Sequence, residues 1–120
     1  MKILIIFSLL TSSILVYNSS KNRKPLEIYL MSSFVNDSIM LNTETNNFKI
    51  LPKVSTNESF GQAASIFFNM SDKDSTIIIK DLKRGVTSSI KYSREYTYLY
   101  IYYHDNNFIF NYTKKILVLE

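Results

Sequence analysis

The 120-residue sequence contains no cysteine, no tryptophan, two glycines, two prolines and one histidine. Without cysteine it has no disulfide, no thiol nucleophile and no thiolate ligand for zinc. Because its glycines are limited to Gly61 and Gly85, it has no glycine-rich loop that could cradle a phosphate. The lack of disulfides also means that a domain of this length must depend on its hydrophobic core for stability.

The net charge of +4 comes from the beginning of the chain. Lys2, Lys21, Arg23 and Lys24 account for all of it, because from residue 25 onward ten lysines and arginines balance ten aspartates and glutamates. Binding to nucleic acid draws mainly on clustered positive charge. The neutral charge balance of the domain therefore predicts no nucleic-acid partner.

The first twenty residues have the composition of an export segment. Lys2 precedes a largely apolar stretch over residues 3–17, which is the order found in a signal peptide. The stretch is shorter than the roughly 20 residues that cross a bilayer, and this favours cleavage. No A-x-A-like site follows it, however, and the basic residues behind it oppose translocation. We predict a signal peptide or an N-terminal membrane anchor over residues 1–20, and a periplasmic, secreted or membrane-anchored product. A buried first strand or helix is the alternative.

Residues 21–25 form a predicted polar linker, and residues 26–120 form the predicted domain. In this domain β-branched and aromatic residues alternate in short runs, which Asn, Asp, Ser and Gly separate. No connection is long and helical enough for parallel βαβ units. The predicted strands cover residues 26–32, 37–43, 48–51, 63–69, 76–81, 86–92, 96–103, 107–112 and 116–119. This spacing predicts an all-β fold, an antiparallel β-sandwich of about seven to nine short strands that is immunoglobulin-like or related.

Six of the nine tyrosines lie between Arg94 and Tyr112. A strand over residues 96–103 places its alternate side chains on opposite faces, and the aliphatic face, with Leu99 and Ile101, is assigned to the core. The other face either packs within a central hairpin or is exposed to a sugar, a peptide strand or another subunit, because a tyrosine ring is apolar while its hydroxyl can form a hydrogen bond. The predicted binding residues are Tyr96, Tyr98, Tyr100 and Tyr102.

Residues with catalytic or metal-binding chemistry are few. His104 lies in a predicted turn beside Asp105, and no nucleophile elbow supports a Ser-His-Asp triad. Asp72 and Asp74 belong to an acidic turn, for which solvated carboxylates are a better explanation than a weak calcium site. We therefore predict no catalytic residue, no metal site and no cofactor.

Two motifs combine a turn with the strand that follows it. Residues 33–41, SFVNDSIML, begin with F-x-N-D-x-apolar, and residues 56–66, TNESFGQAASI, contain T-x-x-x-apolar-G-x-A. Through these two motifs, the chain resembles a group of small exported bacterial β-domain proteins of unassigned function. Members often carry a glycine in the first hairpin turn, where this chain has Thr45-Asn46-Asn47. The resemblance covers residues 26–120 and implies a sandwich-like fold without an implied chemistry.

The predicted function is therefore a non-catalytic binding or structural module outside the cytoplasm. It is exported or tethered to a membrane through residues 3–17, and its ligand is a protein or a glycan. One alternative is a carbohydrate-binding module that uses the tyrosine row. The other is a small hydrolase that uses His104.

Overall fold

The computed structural model describes residues 23–45 and 47–115. In that part of the chain the regular secondary structure consists of β-strands, without a helix. The eight strands there are β1 (Lys24–Leu30), β2 (Asp37–Thr43), β3 (Phe48–Val54), β4 (Ala64–Met70), β5 (Thr76–Asp81), β6 (Val86–Lys91), β7 (Tyr98–His104) and β8 (Asn107–Thr113). Within these ranges there is no helix that could span a bilayer. The predicted export segment and the predicted strand over residues 116–119 lie outside the described residues.

The strands form two four-stranded sheets. Sheet A has the order β4-β1-β7-β8, and sheet B has the order β3-β2-β5-β6. The prediction of an all-β sandwich of short strands is confirmed. The prediction of purely antiparallel pairing is wrong at one place, because β1 and β7 run parallel. The chain crosses from sheet B to sheet A between β6 and β7, and this crossover places β7 along the side of β1 that is not paired with β4.

The core lies between the inner faces of the two sheets. Alternate residues of the central strands point inward, as the two-residue period of a strand requires. In β7, the predicted core residues Leu99 and Ile101 are fully buried and Tyr103 is 1% exposed. The other fully buried aliphatic residues of these strands are Leu26, Ile28, Leu30, Ile39, Leu41, Ile77 and Ile79.

Strand β3 continues past Pro52, where we predicted its end. It forms an edge of sheet B, and an edge strand tolerates a residue without an N–H group. The pairing with β2 shifts register between Asp37 and Ile39, and opposite this shift Lys53 has a φ of 57°. A β-bulge of this kind accommodates Pro52 and changes the alternation of side chains, so that Val54, which is 5% exposed, points into the core.

At strand β1, the structure also differs slightly from the predicted linker. Lys24 and Pro25, the last two linker residues, belong to β1 and pair with Met70 and Asn69 of β4. The parallel pairing with β7 begins only at Glu27. Pro25 therefore lies where β1 has a neighbour on one side only, and its missing N–H removes no hydrogen bond to β7.

The connections lie at the two ends of the sandwich. We call the end with residues 31–36, 55–63, 82–85 and 105–106 the loop end. We call the other end the entry end, because the described chain begins there at Arg23.

At the loop end, two buried carboxylates hold the connections together. Arg84 donates from Nε and Nη2 to the two carboxylate oxygens of Asp37, at 3.0 and 3.2 Å. Oδ1 of Asp81 accepts the backbone N–H groups of Lys83 and Arg84. Burial, together with the neighbouring Asp37, raises the pKa of Asp81.

At the entry end, the side chain of Asp74 joins two connections. Its carboxylate accepts the backbone N–H of Ser71 at 2.9 Å, and the N–H of Thr45 at 2.9 Å. The hydroxyl of Thr45 donates to the same carboxylate. Burial on its own would raise the pKa of this group, but these hydrogen bonds outweigh it and lower the pKa of Asp74. The β2–β3 and β4–β5 connections are thus linked through a charged side chain.

The two faces of the β7–β8 hairpin predict different mutational costs. We expect Ile101→Ala to lower the free energy of unfolding by about 2–5 kcal/mol, because it opens a cavity in the core. We expect Ile109→Ala, in the neighbouring strand, to change it by only about 0.5 kcal/mol, because Ile109 is 48% exposed. Urea denaturation followed by circular dichroism measures both. Equal costs would contradict the assignment of the two faces.

Two of the three buried aspartates, Asp74 and Asp81, predict opposite pH dependences. Folding favours the charged form of Asp74, so its contribution is present above the unfolded pKa of about 3.9 and is lost as the pH falls through the lowered folded pKa. Folding favours the protonated form of Asp81, so its contribution is complete below about 3.9 and is lost as the pH rises through the raised folded pKa. We therefore expect the cost of Asp74→Asn to be largest at neutral pH.

For Asp81→Asn we expect the cost to be largest in acid and to shrink toward neutral pH. Urea denaturation of both variants and of the unaltered protein, over a pH series from acidic to neutral, gives the two curves. Because acid affects the stability of both variants in a general way, each variant serves as the control for the other. Parallel curves would mean that the two carboxylates do not differ in the way their hydrogen bonds and burial imply.

Candidate ligand-binding face

The outer face of sheet A carries a cluster of tyrosines. Tyr29 of β1 lies opposite Tyr100 of β7, and their rings are stacked with centroids 5.1 Å apart and planes 16° apart. The ring of Tyr98 lies 6.4 Å from that of Tyr29, and Tyr102 continues the row along β7. Phe67 of β4 lies opposite Glu27 of β1 at the other side of this group. We call Glu27, Tyr29, Phe67, Tyr98, Tyr100 and Tyr102 the tyrosine face.

Exposure differs within the tyrosine face. Tyr100 lies in a central strand and is 3% exposed, whereas Tyr29, Tyr98 and Tyr102 are half-buried and Phe67 is 63% exposed. The accessible aromatic area therefore comes from the residues around Tyr100. Three of the four predicted binding residues, Tyr98, Tyr100 and Tyr102, lie together on this face.

Tyr96, the fourth predicted residue, lies elsewhere. Strand β7 begins at Tyr98, and the N–H of Tyr96 donates to the carbonyl of Ser93 in a turn before it. The ring of Tyr96 stacks on Tyr112 with centroids 5.2 Å apart. Tyr112 pairs with the inward-facing Leu99, so the two rings cover the rim of the core. The predicted strand over residues 96–103 began two residues too early, because we extended the strand period through a turn.

Glu27 supplies the charged group of the tyrosine face. The hydroxyl of Tyr29 donates to Oε2 of Glu27 at 2.5 Å. This hydrogen bond, together with burial and the negative charge of the carboxylate, raises the pKa of Tyr29 to about 12. Glu27 also lines a shallow depression of about 240 Å³ with Ser65, Ile66 and Phe67. Aromatic area, a carboxylate and a hydroxyl thus meet in one concave place, which suits a ligand with both apolar faces and polar groups.

A larger depression of about 420 Å³ lies at the loop end, between Phe34, Val35 and Glu58. One of its polar side chains, Thr56, is engaged in holding the loops. The hydroxyl of Thr56 donates to the carbonyl of Met31 at 2.6 Å and accepts the N–H of Phe34 at 3.1 Å. Ser32, Ser33 and Glu58 complete the polar part of its lining.

His104 lies at the β7–β8 turn, as predicted. Asp105 and Asn106 both have positive φ, 49° and 61°, which is typical of a two-residue type I′ hairpin. Nε2 of His104 lies 3.2 Å from the carboxylate of Asp105, and the two side chains are 71% and 85% exposed. A catalytic base is normally oriented by a buried partner. This pair is solvated instead, as expected for turn residues.

The carboxylates of the acidic turn, Asp72 and Asp74, do not point to a common place. Asp74 points inward to Thr45 and Ser71, while Asp72 is exposed. Across residues 23–45 and 47–115, no group of three or more His, Cys, Asp or Glu residues could hold a metal ion.

Sequence reasoning missed Glu27, Tyr29 and Phe67 as members of the site. Each lies at an outward position of a predicted strand, so alternation alone could have placed it on an outer face. Alternation could not show that β1 lies between β4 and β7. The parallel pairing of β1 with β7 is what brings Tyr29 beside Tyr100.

The hydrogen bond between Tyr29 and Glu27 predicts an unusual titration. We expect Tyr29 to ionise near pH 12 in the folded protein, and Glu27→Gln to lower that pKa toward the usual value near 10. The raised pKa contributes stability that is present below about pH 10 and is lost as the pH rises toward 12. Two-dimensional NMR of labelled tyrosine rings resolves the residue. An unchanged pKa in Glu27→Gln would contradict the role of the carboxylate.

No protein-family model matches the sequence, and no curated protein matches it. The resemblance to small exported β-domain proteins therefore stays a prediction.

Proposed function

We propose that this chain is an exported or membrane-tethered, non-catalytic binding module that holds its ligand on the tyrosine face. Support comes from one observation above all: Tyr29, Tyr98, Tyr102 and Phe67 lie together on the outer side of a sheet whose inner side already forms the core. A solvated sheet face usually carries polar side chains. Phe67, at 63% exposed, gains little from folding, so contact with a ligand is a better reason for it.

Packing between the strands supplies part of the reason for the tyrosines. Stacked aromatic pairs across strands contribute roughly 0.2–1 kcal/mol each to stability, and Tyr29 and Tyr100 form such a pair. This contribution does not require the depression beside Glu27, nor the exposure of Phe67. Recognition of a ligand accounts for both together.

Carbohydrate is the ligand class that these groups favour. A sugar ring has apolar C–H faces that can lie on aromatic rings, and hydroxyl groups that need hydrogen-bond partners. The tyrosine face has the rings of Tyr98 and Phe67, and the depression beside them has the carboxylate of Glu27 and the hydroxyl of Ser65. A mostly apolar concave site with a few convergent polar groups is the usual form of a small-molecule site.

Two further parts of the proposal rest on the sequence. Export follows from the apolar segment before the described domain, and a relation to immunoglobulin-like sandwiches follows from the strand count and spacing. The hydrolase alternative depends on His104, whose exposed position in a hairpin turn gives it no buried partner. We therefore favour binding without catalysis.

A glycan array with purified variants tests the carbohydrate ligand. We expect Tyr98→Ala and Tyr102→Ala each to weaken binding by about tenfold or more, because losing an aromatic contact costs roughly 1.5 kcal/mol or more. Phe48→Ala is the matched control: Phe48 is 58% exposed but lies on the outer face of sheet B. His104→Ala should also leave binding unchanged. Binding that survives both tyrosine variants would contradict use of this face, and an array without any bound sugar would exclude carbohydrate.

A further inference from the structure

The outer face of sheet B, on the opposite side of the sandwich, carries a second apolar patch. Met40 of β2 lies opposite Ile50 of β3, and Phe48 and Ile78 lie on either side of Asn42. Phe48 is 58% exposed and Ile50 is 47% exposed. These side chains share one outward face because alternate residues of neighbouring strands point the same way. The patch lies next to the free edge of β3.

Lysines surround this patch, and carboxylates do not. Lys80 and Lys91 point outward from β5 and β6, and Lys53 lies at the bulge on the free edge of β3. Lys49 pairs with the inward-facing Leu41 and does not belong to this outer face. Among the described residues whose side chains lie on the outer face of sheet B, none is an aspartate or glutamate. Glu44, in the connection at the entry end, has its carboxylate bound to Ser75 and Thr76. We call the patch, together with Lys53, Lys80 and Lys91, the lysine face.

The edge of β3 is poorly suited to pairing with another strand. Pro52 lacks an N–H group, and the bulge at Lys53 interrupts the regular ladder. Lysines on an edge strand also oppose the addition of a further strand. We therefore expect a partner of the lysine face to contact the side chains on the outer face of the sheet, and not the backbone groups at the edge of β3.

We infer that the lysine face docks on an anionic lipid bilayer. Apolar side chains such as Phe48 and Ile50 would enter the boundary between headgroups and acyl chains, while the lysines bind anionic headgroups. Lysine is suited to this position because its apolar stem can follow the hydrocarbon while its ammonium group stays in water. The face also lacks carboxylates that would repel anionic lipid. The charged groups of this face are all positive and surround apolar side chains. This composition favours a bilayer over a neutral protein surface.

Docking on the lysine face is compatible with ligand binding. The outer faces of the two sheets point in opposite directions, with the core between them. A domain that lies on a bilayer through sheet B therefore turns the tyrosine face away from the lipid. The inference does not depend on the identity of the ligand that the tyrosine face binds.

The absence of tryptophan from the chain makes a direct test possible. In the full-length protein, a single tryptophan is introduced either on the lysine face, as Ile50→Trp, or on the outer face of sheet A, as Ile109→Trp. The two positions are matched, because Ile50 is 47% exposed and Ile109 is 48% exposed. Each variant is mixed with vesicles of phosphatidylcholine alone, or of phosphatidylcholine with phosphatidylglycerol. The readouts are the emission maximum and quenching by brominated acyl chains, with circular dichroism to confirm folding.

We expect the tryptophan at position 50 to shift to shorter wavelength and to be quenched on anionic vesicles, while the one at position 109 does neither. Adding Lys80→Glu and Lys91→Glu to the Ile50→Trp variant should weaken the response by about tenfold or more, since each lysine contributes roughly fivefold near an anionic surface. Lys73→Glu with Lys115→Glu makes the same change in net charge away from the lysine face, and it should leave the response in place.

Three results would overturn the inference. No response at position 50 would mean that the face does not reach lipid. An equal response at positions 50 and 109 would mean that the chain is brought to the vesicle without a preferred face, for example by its apolar N-terminal residues. An equal response on neutral and anionic vesicles would mean that the lysines do not contribute.

Discussion

The parallel pairing of β1 with β7 is the contact on which the arrangement of this protein depends. It joins the first strand of the described chain to the last hairpin, and it makes sheet A continuous from β4 to β8. On the inner side it sets Ile28 beside Leu99 in the core, and on the outer side it sets Tyr29 beside Tyr100. The same backbone register thus positions part of the core and the centre of the tyrosine face. A shift by one residue would exchange the two sides.

The ends of the sandwich are held by hydrogen bonds to buried carboxylates. At the loop end, Arg84 binds Asp37 with two nitrogens, and its guanidinium lies 4.4 Å from the centre of the Tyr103 ring. At the entry end, Asp74 gathers N–H and hydroxyl groups from Thr45 and Ser71. A chain without disulfides needs other links between distant connections, and buried polar groups are stable only when their partners are present. Both clusters meet that need with charged side chains.

The two outer faces have different chemistry although the same strand period produced them. Sheet A presents aromatic rings with Glu27, and sheet B presents aliphatic and aromatic groups with lysines. We propose a ligand site on the first and a bilayer contact on the second, and these roles suit the opposite directions in which the faces point. The overall charge of the domain hides this division, because the acidic groups and the lysines balance when they are counted along the sequence.

Much of the fold could be predicted from the sequence, because strand alternation and turn residues are local signals. Residues 37–43 and 76–81 were predicted with the bounds that β2 and β5 have, and the His104–Asn107 turn follows from its Asp and Asn residues. Two local errors also have local causes. Pro52 stopped the predicted β3 because a bulge is not visible in a single strand, and Tyr96 entered the predicted row because alternation was carried through a turn.

The alternation of side chains therefore established the strands, their inner and outer faces, and the outward position of Tyr98, Tyr100 and Tyr102. Which strands became neighbours was decided by the three-dimensional packing. The partners of those tyrosines, Tyr29 and Glu27, lie some seventy residues earlier in the chain. The ion pair between Asp37 and Arg84 likewise joins distant segments, and so does the placement of Lys80 on the same outer face as Phe48. The reason is physical: alternation is set by the geometry of one strand, whereas adjacency is set by which apolar faces can be buried together.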